Sequence, residues 1–118
     1  MPGKSVRIVL SPEARLAWEA LGRRSGSKPE RSIFAAITRK VELIRLNPHY
    51  GEPIAKRLIP REYVAKYGIT NLFRVELPHF WRMLYTLTAG EMKIEIIAFV
   101  LGISDHREYD REFGYRKG

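Results

Sequence analysis

The chain has 118 residues, with 21 Lys and Arg against 13 Asp and Glu, a net charge of +8 and a pI near 10.0. That length holds one domain, residues 1–118, and the absence of cysteine excludes disulfides, thiolate zinc sites and a cysteine nucleophile. Three scattered histidines, at 49, 79 and 106, do not compose an all-histidine metal site, and no apolar run reaches the ~20 residues of a membrane span.

Val6-Arg7-Ile8-Val9-Leu10 is a short apolar run with some alternation and predicts a first strand. Ser11-Pro12-Glu13 then combines an N-cap residue, a proline at the first helical position and an acid in the first turn. Ala14, Ala17, Trp18 and Leu21 mark the buried stripe of the helix that follows, which ends between Gly22 and Gly26. Ser27-Lys28-Pro29-Glu30 has capping-box spacing, and Ile33, Phe34, Ile37, Val41 and Ile44 give the second helix one apolar face. That helix should stop near Leu46, because proline disfavours helical geometry in the residue before it and Asn47-Pro48 follows. The two helices are expected to form an antiparallel hairpin.

Residues 48–70 hold prolines at 48, 53 and 60 and a basic cluster, Lys56, Arg57, Arg61 and Lys66. A connection of this length is either functional or a solvated cover for a sheet edge. It includes a predicted helical turn near Arg61–Tyr67. A hairpin comes next. Phe73, Val75 and Leu77 alternate on its first arm, and Trp81, Met83, Tyr85 and Leu87 on its second. Arg74, Glu76 and Arg82 then share the opposite face. Lys93 to Leu101 is apolar on both faces and reads as a covered central strand ended by Gly102. The tail, Ser104 to Tyr115, is half charged and half aromatic, with a short helix expected after Ser104 or Asp105. The order predicts an α+β fold, with two helices on one face of an antiparallel sheet.

The charge points to an anionic partner, nucleic acid before all others. Residues 1–71 carry fourteen Lys and Arg against six Glu, whereas residues 72–118 carry seven basic and seven acidic residues. Long-range attraction therefore comes from the first part, and chemistry in the second rests on a few placed side chains. The first residues, Met1 to Ser5, lack the apolar core of a signal peptide, so the expected compartment is the cytoplasm. There is no glutamine, and asparagine occurs only at 47 and 71, a depletion of thermolabile amides that fits a thermophilic source.

Three features together resemble the RelE/ParE toxin superfamily of type II toxin–antitoxin systems. They are the element order, the pair Leu72-Phe73-Arg74-Val75-Glu76-Leu77 and Trp81-Arg82-Met83-Leu84-Tyr85-Thr86-Leu87, and the closing Asp105-His106-Arg107-Glu108-Tyr109. The resemblance spans about residues 5–113. It implies an N-terminal strand, a helical hairpin and a three-stranded antiparallel meander in one twisted sheet. It also implies a toxin restrained by a cognate antitoxin in a hetero-oligomer. In the ribonuclease branch such a toxin cleaves mRNA on the ribosome with neither metal nor cofactor. ParE-like relatives instead poison DNA gyrase, and a non-catalytic RNA- or ribosome-binding module is a third reading.

The resemblance carries over Arg82, with Tyr85 as its packing partner, and Arg74, His106 and Tyr109 as catalytic positions. Arg107 is the neighbouring basic residue, and Lys56, Arg57 and Arg61 are added as substrate-binding cations. Glu76 stands where the namesake toxins often carry a basic residue. Cleavage by an internal 2′-hydroxyl needs a base, an acid for the leaving 5′-oxygen, and cations for the phosphorane charge. His106 titrates in the useful range, Arg74 and Arg82 suit a bidentate phosphate clamp, and Tyr109 suits base stacking. Plainer roles stand beside these. Arg82 and Glu76 can pair across the hairpin, with Glu76 as general base the alternative. His106 can bond the tail backbone, and Tyr109 can pack over the sheet edge.

Overall fold

The computed structural model describes residues 5–23, 28–89 and 95–105, together with Arg107, Arg111 and Phe113. Its elements run β1 (Ser5–Leu10), α1 (Pro12–Arg23), α2 (Lys28–Leu46), β2 (Glu52–Pro53), α3 (Arg61–Tyr67), β3 (Phe73–Glu76), β4 (Arg82–Ala89) and β5 (Glu95–Ser104). The five strands form one sheet in the order β1-β5-β4-β3-β2. The β2–β3, β3–β4 and β4–β5 pairs are antiparallel, and β1 lies parallel to β5.

Local signals act where expected. Ser11 caps α1, its hydroxyl accepting the Ala14 N–H at 3.0 Å, with Pro12 and Glu13 in the first turn. α2 ends at Leu46; the Asn47 side chain then accepts the His49 N–H at 3.1 Å, and the chain turns. Ser27 lies outside the described residues, so the expected capping box does too. Trp18 of α1 stacks on Phe34 of α2, with centroids 5.2 Å apart, joining the two helices. Gly68 closes α3 at φ 63°, its N–H donating to the Val64 carbonyl at 2.8 Å, a cap that favours glycine.

The sheet has two apolar layers because strand side chains alternate. Phe73, Val75, Leu77, Met83 and Tyr85 pack against Ala14, Leu21, Ile33, Ile37 and Ile44 of α1 and α2. On the other side, Leu72 and Leu84 pack with Tyr63 of α3 and with Ile69, while Ile54, Ile59 and Phe113 close the cluster. The two long helices do share one face, and α3 adds cover to the opposite face. At roughly 1.5–3 kcal/mol for each fully buried large apolar side chain, both layers contribute substantially to stability.

Three features differ from the sequence expectation. β1 adds parallel to β5, a long-range pairing that no local pattern encodes. β2 is a two-residue edge strand containing a proline, too short for any period to reveal. β5 runs on to Ser104 rather than ending at Gly102. Leu84 pairs with Gly102 and Tyr85 with Val100, so the register shifts by one residue. The glycine therefore marks a bulge, not a strand end. Among the described residues no helix is long and apolar enough to cross a membrane.

One polar tether joins α1 to α3. The Glu13 carboxylate accepts hydrogen bonds from the Lys66 ammonium and, at 3.0 Å, from the Tyr67 hydroxyl. The Lys66 bond, then a backbone N–H, then Tyr67 hold its carboxyl at about 2 instead of 4.5. A carboxyl with a depressed folded pKa adds stability above its unfolded pKa and loses it as pH falls through the folded one. Thermal unfolding followed from pH 6 to pH 2 should therefore show a loss between about 4.5 and 2. In Glu13→Gln that portion of the pH dependence should be missing, and an unchanged profile in the variant would refute the tether.

Candidate functional site

On the face of the β3–β4 hairpin turned away from α1 and α2, the sheet carries a charged row beside the Leu72–Leu84 cluster that α3 covers. β3 and β4 register Glu76 opposite Arg82, and β2 and β3 register Glu52 opposite Arg74. These four side chains form one line of alternating charge across three strands. The Arg74 guanidinium binds the Glu52 carboxylate through Nη2. Arg74 Nε lies 3.5 Å from Glu76 Oε2, and Arg82 Nε lies 3.4 Å from Glu76 Oε1. Arg82 Nη1 also donates to the Phe80 backbone carbonyl at 2.6 Å.

Exposure is uneven along the line. The arginine side chains are 28% and 22% exposed, for Arg74 and Arg82, and the carboxylates of Glu52 and Glu76 are 65% and 61% exposed. The guanidiniums are thus half sunk into the sheet with their positions set, while the acids lie outermost. Exposed ion pairs are worth only about 0–1 kcal/mol. A phosphate that offers two oxygens to a guanidinium fork can therefore take the place of a carboxylate at small cost.

Glu52 is held in position from the other side of the sheet. Tyr85 is completely buried and stacks on Phe73 with centroids 5.1 Å apart. Its hydroxyl donates to the Pro48 carbonyl at 2.7 Å and accepts the Gly51 N–H at 2.9 Å. Burial pushes the phenol pKa up, which keeps the proton available for Pro48. Gly51 is needed for this approach, since a Cβ there would sit 2.9 Å from the Tyr85 ring. Tyr85 therefore anchors the segment leading into β2. It lies in the layer under α1 and α2, and Arg82 lies on the face with Glu76, so the expected Arg82–Tyr85 packing is replaced by this anchoring role.

The turn between β3 and β4 is strained. His79 and Phe80 have φ of 59° and 64°, consecutive left-handed backbones at non-glycine residues. Each costs of order 1 kcal/mol relative to glycine. The Leu77 N–H donates to the Trp81 carbonyl at 2.9 Å and holds the turn closed.

Of the residues singled out from the sequence, Arg74, Glu76 and Arg82 come together. Lys56, Arg57 and Arg61 are exposed on the segment whose Ile54, Ile59 and Tyr63 pack on the Leu84 side of the sheet. Arg107 is exposed in helical backbone. His106 and Tyr109 lie outside the described residues, and the nearest described point on the strand before them is Ser104, the register partner of Arg82. Sequence reasoning missed Glu52. Its only signal was an acid next to a proline inside a basic loop, and a two-residue pairing places it. Among the described residues no group of three or more His, Cys, Asp or Glu side chains is disposed to hold a metal ion.

No family model matches the chain, and no curated protein matches it. Among solved structures it is similar to the YoeB dimer from Staphylococcus aureus, at 16% identity and a TM-score of 0.56. The match covers 86% of this chain and 98% of that one. The fold is therefore RelE-like, as the resemblance implied.

Tyr85→Phe should leave the Pro48 carbonyl and the Gly51 N–H without their partner and destabilise the chain by about 1–3 kcal/mol in urea unfolding. Gly51→Ala should cost at least as much. A Tyr85→Phe variant as stable as the parent would show that the hydroxyl does not hold the β2 segment.

Proposed function

We propose that this chain is the toxin of a type II toxin–antitoxin pair and that it cleaves mRNA on translating ribosomes in the cytoplasm. The observation that carries the reading is the Glu52–Arg74–Glu76–Arg82 line on an exposed sheet face. It supplies fixed cations for a phosphate and carboxylates within one side chain of them. The RelE-like fold supports the same reading.

The chemistry is internal transesterification. The ribose 2′-oxygen attacks the adjacent phosphorus, its proton passes to a base, and the P–O5′ bond breaks. The products are a cyclic phosphate and a free 5′-hydroxyl. Arg74 and Arg82 stabilise the extra charge on the phosphorane oxygens, where preorganised donors act most strongly. Two carboxylates stand beside the clamp to take the 2′-hydroxyl proton, Glu76 between the two guanidiniums and Glu52 against Arg74. His106 serves as the acid that protonates the leaving 5′-oxygen, and Tyr109 stacks on a base. Lys56, Arg57, Arg61 and Arg107 supply the surrounding charge that draws in the anionic ribosome and its message. A cognate antitoxin restrains the toxin in a hetero-oligomer.

Primer extension on an mRNA translated in vitro tests this reading. The parent should cut only in the presence of translating ribosomes. Arg82→Ala should lower the cleavage rate about 100- to 1,000-fold, the effect of removing one preorganised donor to an oxyanion. The carboxylate that serves as base is the one whose Gln variant, Glu52→Gln or Glu76→Gln, loses cleavage. Intact transcripts with the parent protein, on ribosomes matched to its source, would refute the nuclease reading. Inhibition of gyrase supercoiling by the same preparation would then replace it with the ParE-like activity.

A further inference from the structure

The Pro78–Phe80 turn has a feature that the cleavage chemistry leaves unused. Phe80 is 71% exposed, more than any other large apolar residue described as exposed. It is also held in left-handed backbone, where glycine would fit with less strain. Core packing cannot account for a phenylalanine that is mostly in water. A turn that only had to reverse the chain would be better served by glycine or asparagine.

The turn around it is firmly anchored. Leu77, on one side, is buried, and Trp81, on the other, packs against the main core. The Trp81 N–H donates to the Pro78 carbonyl at 3.3 Å, and the turn packs on α2. Arg82 Nη1 donates to the Phe80 carbonyl at 2.6 Å, which ties the guanidinium to the backbone that carries the ring. Arg82 is in turn paired with Glu76, its Nε 3.4 Å from Oε1.

We infer that Phe80 is a stacking platform for a single-stranded RNA base, set beside the phosphate clamp so that one nucleotide is gripped by its base at Phe80 and by its phosphate at Arg82. This rests on the RNA reading above and deepens it. It assigns a sequence-tolerant base contact to the hairpin tip, separate from Tyr109 in the tail. A phenyl ring has only two rotatable side-chain bonds and so loses little freedom on binding, and base–aromatic stacking needs no particular base identity.

Binding of a fluorescein-labelled 2′-O-methyl RNA oligonucleotide, which lacks the attacking hydroxyl, tests the inference with the full chain at several salt concentrations. Phe80→Ala should weaken binding about 5- to 150-fold, the range for loss of one stacked base. The slope of log K against log salt should stay unchanged, because no phosphate contact is lost. Phe80→Leu, apolar but without a ring, should lose as much, and Phe80→Tyr should keep parental affinity. Arg82→Ala should flatten the salt slope by about one. An abasic nucleotide at one position should weaken the parent and erase the difference between parent and Phe80→Ala. Parental affinity in Phe80→Ala or Phe80→Leu, with Arg82→Ala impaired, would overturn the stacking role and leave the RNA reading standing. No RNA binding by the parent would overturn the stacking role, whereas the ribosome-dependent reading stands or falls by primer extension. Thermal unfolding of Phe80→Ala and Phe80→Leu within a few degrees of the parent excludes loss of fold as the cause of weaker binding.

Discussion

The register of β3 on β4 is the constraint on which the rest depends. Val75 faces Met83, Phe73 faces Tyr85 and Glu76 faces Arg82. A slip of one residue would move Met83 and Tyr85 out from under the helices and drive Arg82 into the apolar layer. Burying a guanidinium unpaired would cost far more than the chain's net stability allows. Burial of one set of side chains therefore fixes the display of the other. The charged line is as firmly placed as the core because both hang on one ladder.

Tyr85 extends that constraint across the sheet. Its ring belongs to the core, and its hydroxyl reaches the backbone of residues 48–51. The segment so tied delivers Glu52 to Arg74. A second side-chain device completes the ladder at its other end. The Asn71 amide group donates to the Leu87 carbonyl at 3.0 Å and accepts the Leu87 N–H at 2.8 Å, imitating one more strand residue beside β4. The Thr86 hydroxyl donates to the Asn71 carbonyl at 2.7 Å. Short strands with an edge proline have few backbone bonds, and such side-chain bonds offset that shortage.

Several elements were legible because local physics decided them. The Ser11 cap, the end of α2 before Asn47-Pro48, the helical turn at Arg61–Tyr67 and the alternation of the hairpin all follow from the chain within one or two turns. Arg74, Glu76 and Arg82 were legible for the same reason, since period two places them on one face. Glu52 was not, because its role depends on a pairing across more than twenty residues, and β2 has two residues and no periodicity. Gly102 misled as a strand end because a bulge and a terminus carry the same residue. The parallel pairing of β1 with β5 depends on the whole fold. Phe80 carries no sequence signal of its own, and only its backbone conformation and exposure set it apart.

The electrostatics divide the same way. The excess of positive charge lies in residues 1–71, and the site itself is balanced, two arginines against two glutamates. A cluster of unopposed arginines would repel itself and lose its geometry. Interleaved carboxylates hold each guanidinium in place at low energy, and in the proposed function they give way to a phosphate. The rest of the chain supplies the attraction at long range, and that attraction weakens with salt. Binding strength and geometric accuracy are thus assigned to different parts of the molecule. A neutral site within a basic protein is what this separation produces, and Glu76, paired with both guanidiniums, is the element that orders it.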